Sequence, residues 1–147
     1  MWPTAFLAMF IATVTIIGIK QTTEMRSLNQ ATVDNTMVSS LLSYRKAVID
    51  YVADHPGVVG EVSDAALAPY YPYGYVNPGL WGNLVSNERL YVFTDQRIST
   101  DILDQRLYRS LLVGQNINGQ LVSISGQQTL ISLPAIIPAN AIVIVGY

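Results

Sequence analysis

The chain has 147 residues and a formal net charge of −2, from eight Lys+Arg against ten Asp+Glu. Its cations are scattered apart from Arg45-Lys46, so it lacks the clustered basic footprint that phosphate backbones require, and nucleic acid is excluded as an expected partner. Without cysteine it can form no disulfide, thiolate nucleophile or Cys-based metal site, and its 12% charged residues fall well short of the roughly 25% of an average soluble chain.

Trp2 to Ile19 is a run without charge that ends at Lys20, just long enough to cross a hydrocarbon core as a helix. Pro3 falls in the first turn, where a missing N–H costs nothing. Trp2 suits one interface and Lys20 can snorkel at the other end. A secretory signal peptide is the competing reading, but there is no basic segment before the apolar run and no small-x-small cleavage site after Ile19. A retained anchor is therefore expected. Lys20, Glu24 and Arg26 give the flank only a weak positive bias. The expected orientation is N-terminus inside and domain outside, as for a folded domain following a short anchor in bacteria.

The stretch after Lys20 is enough for one compact domain and too little for two. From Met25 to Ala53 neither Pro nor Gly occurs, and Val33, Met37, Leu41, Tyr44, Val48 and Tyr51 recur at steps of three and four, tracing one face of an amphipathic helix. Asp54-His55-Pro56-Gly57 stops it, because Pro56 disfavours helical geometry at His55. The expected organisation is an anchor over 1–20, an amphipathic helix over 21–56 and an α+β domain over 57–147.

Residues 57–87 are dense in Pro and Gly and carry Tyr70, Tyr71, Tyr73, Tyr75 and Trp81, which reads as a long ordered loop closing over a core, with one short helical turn over 61–67. Arg89 to Thr94 has strand composition. A second helix is expected from Ser99 or Thr100 to Gly114, burying Ile102, Leu103, Leu107, Leu111 and Leu112 while Arg106 and Arg109 face water. Short strands are expected at 115–117, 121–124, 129–133 and 141–145. Asn118-Gly119 suits a type I′ hairpin, Ser125-Gly126-Gln127 supplies another turn, and the all-apolar Ala141 to Val145 fits a central strand buried on both faces. The fold class is α+β: a long N-terminal helix, transmembrane half plus amphipathic half, packed on a small antiparallel sheet as in pilins, with one further helix and an antiparallel meander.

Chemistry is sparse. His55 is the only imidazole and lies at a helix end, where its ring can complement the negative dipole terminus. Asp50, Asp54, Glu61 and Asp64 cluster in sequence, yet without the ligand spacing of a calcium loop. A glycan-directed enzyme using the tyrosine-rich loop and Asp64 is the competing functional class. No catalytic, cofactor-binding or metal-ligating residue is assigned, and no cofactor is expected.

The apolar N-terminus is followed by Tyr51…His55-Pro56, Asn83-Leu84-Val85-Ser86, Arg89-Leu90-Tyr91-Val92-Phe93 and Arg109-Ser110-Leu111-Leu112-Val113-Gly114. Ile131-Ser132-Leu133-Pro134, Ile137-Pro138 and Ala141-Ile142-Val143 then complete a succession that resembles the PilM proteins, encoded with type IVB (thin) pilus systems, including those of conjugative plasmids. The resemblance implies a role in pilus biogenesis at the bacterial inner membrane, with a periplasmic domain and other pilus-machine membrane proteins or pilins as partners. A homo-oligomer is left open. Pilins generally carry a leader ending in Gly and a Glu at the fifth mature position, whereas Met1-Trp2-Pro3-Thr4-Ala5 begins this chain and no acid precedes Glu24. That favours a fixed accessory or scaffold component over the alternative, a minor pilin or tip subunit.

Overall fold

The computed structural model describes the backbone of residues 2–146 and the side chains of residues 26–146. Helix α1 runs unbroken over Trp2–Asp54. By packing, the chain divides into two units, residues 1–35 and residues 36–147. Among the described residues no helix is long and apolar enough to cross a membrane. The anchor expected over residues 2–19 lies outside the described side chains.

In the second unit α1 buries Val38, Leu41, Tyr44, Ala47 and Val48, the three-and-four spacing of an apolar stripe. Each fully buried aliphatic side chain of this size contributes about 1.5–3 kcal/mol. The stripe begins later than its periodicity predicts, since Val33 is exposed. The helix ends at the predicted stop, where the His55 N–H donates to the Tyr51 carbonyl at 3.0 Å before Pro56 and Gly57 turn the chain.

Two further helices occur rather than one. Helix α2 is the short turn Asp64–Leu67, capped by Ser63, and a 3-10 turn over Ala68–Tyr70 continues it. Helix α3 spans only Thr100–Arg106, with Ser99 accepting from the Ile102 N–H as its N-cap. It stops well before Gly114 because Tyr108 and Arg109 both take positive φ, 54° and 56°. Leu111 is consequently exposed, not part of a buried stripe. Arg106 and Arg109 are exposed as expected.

The sheet has six antiparallel strands: β1 Gly82–Ser86, β2 Arg89–Thr94, β3 Val113–Ile117, β4 Gln120–Ser123, β5 Gln128–Ser132 and β6 Ile142–Gly146. Strand β1 falls within the segment expected to be loop. The spatial order β1-β2-β6-β3-β4-β5 corrects the meander, because β6 inserts between β2 and β3. As the central strand it sends Ile142 and Ile144 into the core shared with α1, and Val143 and Val145 into a second core under residues 133–141. Burial on both faces explains its unbroken apolar run.

Local chemistry fixes the hairpins. Asn118 and Gly119 take φ of 53° and 78°, the positive pair that a type I′ turn requires. Gly114 sits inside β3 because a Cβ there would fall on the Val122 carbonyl of the neighbouring strand. Asn116 holds the 133–141 segment on the sheet: its Nδ2 donates to the Ile137 and Pro138 carbonyls at 2.9 and 3.0 Å, and its Oδ1 accepts from the Gly119 N–H.

Candidate functional site

The tyrosine-rich segment is fastened to α1 by hydrogen bonds that begin at β1. Asn83, 2% exposed, donates through Nδ2 to the Tyr44 hydroxyl at 2.7 Å and to the Val62 carbonyl at 2.8 Å, while its Oδ1 accepts from the Val62 N–H at 2.8 Å. Trp81 Nε1 donates to Ser40 Oγ at 3.2 Å, and the Tyr75 hydroxyl lies 3.3 Å from the Ser40 carbonyl, its acceptor. No buried side-chain nitrogen or oxygen among the described residues lacks a partner.

Rings complete the attachment. Tyr71 lies between Tyr44 and Tyr75, with centroids 6.3 and 4.9 Å away, and Tyr70 meets Tyr51 edge-on at 5.6 Å. Such pairs add to simple area burial by about 0.5–1.5 kcal/mol each. Burial pushes the Tyr44 phenol up to about 12, against the lowering effect of the Asn83 bond. Burial also raises Tyr71, helped by its bond to Asp64, and raises Tyr75. Neutral phenols therefore serve as donors and packing surface here.

The carboxylates singled out in the sequence are brought to separate duties. Asp50 pairs with Lys46 at 2.6 Å along the helix. Asp54 accepts from the Tyr70 hydroxyl at 3.0 Å. Asp64 accepts from the Tyr71 hydroxyl at 3.0 Å and from Asn77 Nδ2 at 2.7 Å. Among the described residues no group of His, Asp or Glu is placed to hold a metal ion. His55 is exposed, stacks on Tyr51 at 4.3 Å between centroids, and has Nδ1 3.0 Å from the Tyr51 carbonyl. It terminates the helix, as its position at the stop implies.

A concave surface that the sequence did not announce lies where α1 ends. Ile49, Val52 and Ala53 of α1, Pro56 to Val59, and Val85 with Leu90 line a cavity of about 450 Å³. That volume is within the range of small-ligand and side-chain pockets. Val59 stands 78% exposed at its margin. Asn87, Glu88 and Arg89 are its polar lining, and the remainder is apolar. Its only sequence signal is the pair Val58-Val59 directly after a chain reversal. Such a surface can seat an apolar side chain of another protein, and it brings together no acid, base and nucleophile in reach of one another.

A crystal structure described as PilM from Escherichia coli B7A matches with a TM-score of 0.61 and 24% identity, over 80% of this chain and 94% of that one. A second, described as pilM protein from Pseudomonas aeruginosa 2192, is 31% identical over 77% of this chain and 92% of that one, with a TM-score of 0.46. No curated protein matches the chain. A family model described as PilM matches residues 7–145, and the chain belongs to the PilM family.

Proposed function

We propose that this protein is a non-enzymatic accessory or scaffold component of type IVB pilus biogenesis, tethered to the bacterial inner membrane by residues 2–19 and presenting its α+β domain to the periplasm. Membership of the PilM family points to pilus biogenesis, and it is the observation that carries the reading. The fate of the polar groups supports the non-enzymatic part. Asp54 accepts from Tyr70 and ties the tyrosine-rich segment to α1, Asp64 is engaged by Tyr71 and Asn77 within that segment, and the groove at the end of the helix offers apolar surface suited to protein contact. The uncharged run from Trp2 to Ile19 supports the tether.

The test is purification of the native protein in mild detergent followed by identification of what accompanies it. Inner-membrane components of the pilus machine are the expected companions. Recovery of polymeric pilin alone, with no inner-membrane protein, would overturn the scaffold reading.

One observation favours a second reading, a minor pilin or tip subunit. A single helix that starts in an apolar half and then packs an amphipathic half on an antiparallel sheet is also how pilins are built. Sheared filaments distinguish the two: a minor pilin travels with them, whereas a scaffold stays with the membrane.

A further inference from the structure

Asn118-Gly119 is the only Asn-Gly pair in the sequence, and Asn118 is exposed. An asparagine followed by glycine can react with its own backbone, since glycine has no side chain to block the approach. Hydroxide takes the proton of the Gly119 N–H, and the nitrogen bonds to the side-chain carbon of Asn118. The bond from that carbon to Nδ2 breaks, and the departing nitrogen takes a proton from water to leave as ammonia. Water then opens the resulting succinimide at either carbonyl, giving aspartate or isoaspartate.

The fold restrains both atoms that must move. The Gly119 N–H donates to Asn116 Oδ1 at 3.0 Å, and the Gly119 carbonyl accepts from the Leu133 N–H at 2.8 Å. While both bonds persist, the N–H is shielded from hydroxide and the turn cannot rotate. A proton held in this way is released only through local opening.

Both restraints run through one segment, residues 133–141. Leu133 begins it, and Asn116, 5% exposed, is the side chain that fastens it, through the Ile137 and Pro138 carbonyls. The backbone of Asn116 also pairs with Asn140 and Ala141, each at 2.9 Å. The segment contains no helix or strand of its own and is seated by burial of Leu133 and Ile137 beside Val143 and Val145.

We infer that Asn118 is a deamidation site gated by residues 133–141, silent while the segment is seated and open to succinimide formation when it lifts. Modification is irreversible, so the acid accumulates with the time spent open. Its carboxylate would be the only ionised side chain beyond Arg109. Isoaspartate also lengthens the backbone inside a two-residue turn whose φ values, 53° and 78°, are set by the strands on either side.

The test ages the full-length protein in detergent at mildly alkaline pH and follows aspartate and isoaspartate at position 118 by peptide mass spectrometry. Hydrogen exchange at the Gly119 amide is followed in parallel. The folded protein is expected to react at least about tenfold more slowly than the same chain in urea, with a protected Gly119 amide. Ile137→Ala, which unseats the segment without touching the turn, is expected to speed both reactions by about tenfold or more. Ile137→Val should give a smaller rise in the same direction. Val48→Ala, in the core that α1 forms on the other face of the sheet, separates local lifting from global unfolding and should leave both rates unchanged. Circular dichroism checks that each variant remains folded. A folded chain that reacts as fast as in urea, Ile137 variants that react no faster than the parent, or Val48→Ala that reacts as fast as Ile137→Ala would overturn the inference.

Discussion

The side-chain amide of Asn83 donates to the hydroxyl of Tyr44 at 2.7 Å, so a strand residue and a helix residue 39 positions apart are joined inside the core. The same amide closes two bonds with the backbone of Val62. One buried polar side chain thus fixes the helix, the first strand and the start of the tyrosine-rich segment relative to one another.

Removing it should be costly. Asn83→Ala would leave the Val62 N–H, the Val62 carbonyl and the Tyr44 hydroxyl buried without these partners, and a loss of about 3 kcal/mol is expected from unmet hydrogen bonds. Tyr44→Phe deletes one bond while keeping the ring, for about 1 kcal/mol. Urea unfolding followed by circular dichroism measures both, and equal losses would contradict the network.

The tyrosines predict an alkaline limit. A phenol titrates near 10 in the unfolded chain, while burial holds Tyr44 up to about 12 in the folded one. Between those values the folded state keeps a proton that the unfolded state releases. The contribution is therefore whole below pH 10 and is lost as pH rises through 12, amounting to about 2–3 kcal/mol for Tyr44. Unfolding midpoints measured across this range should fall, and Tyr44→Phe should flatten the decline.

The turn between β1 and β2 carries correctable strain. Asn87 and Glu88 take φ of 52° and 61°, and Glu88 gains nothing from the left-handed region that Asn or Gly tolerates. Glu88→Gly is expected to stabilise by about 0.5–1 kcal/mol after the extra entropy of glycine in the unfolded chain is set against the relieved strain. In a thermal melt this corresponds to a rise of about 2–5 °C. A fall in melting temperature would place the strain elsewhere.

The non-enzymatic reading makes its own prediction. A chain carrying Asp54→Asn, His55→Gln and Asp64→Asn together should still support pilus assembly, because these groups serve the end of α1, its bond to Tyr70 and the internal bonding of the tyrosine-rich segment. Piliation counted by electron microscopy is the readout. Abolished piliation by a variant that folds and accumulates normally would reopen an enzymatic role.

Much of this architecture is legible where backbone requirement and residue type coincide. Asn118-Gly119 meets the positive φ of its turn, His55-Pro56 stops the helix, and the apolar run before Gly146 belongs to the strand buried on both faces. Strand β1 is hidden for two reasons. Its inward position is filled by polar Asn83, which spoils the alternation, and its turn uses Asn-Glu instead of Asn-Gly. Helix α3 misleads in the opposite sense. Leu107, Leu111 and Leu112 continue a helical rhythm, but the chain reverses at Tyr108 and Arg109 so that Val113 can pair with Ile144. That pairing is a tertiary event with no local trace. The groove at the end of α1 is equally silent, because its lining comes from residues about 40 positions apart in sequence, Ile49 and Val52 with Val85 and Leu90.

The place of β6 has a consequence for how the domain comes into being. Strands β1 and β2 form one piece and β3 to β5 another, and the only strand bridging them is the last to leave the ribosome. Until residues 142–146 emerge, the two pieces cannot pair through β6, so the sheet is completed only after the strand farthest along the chain has been made.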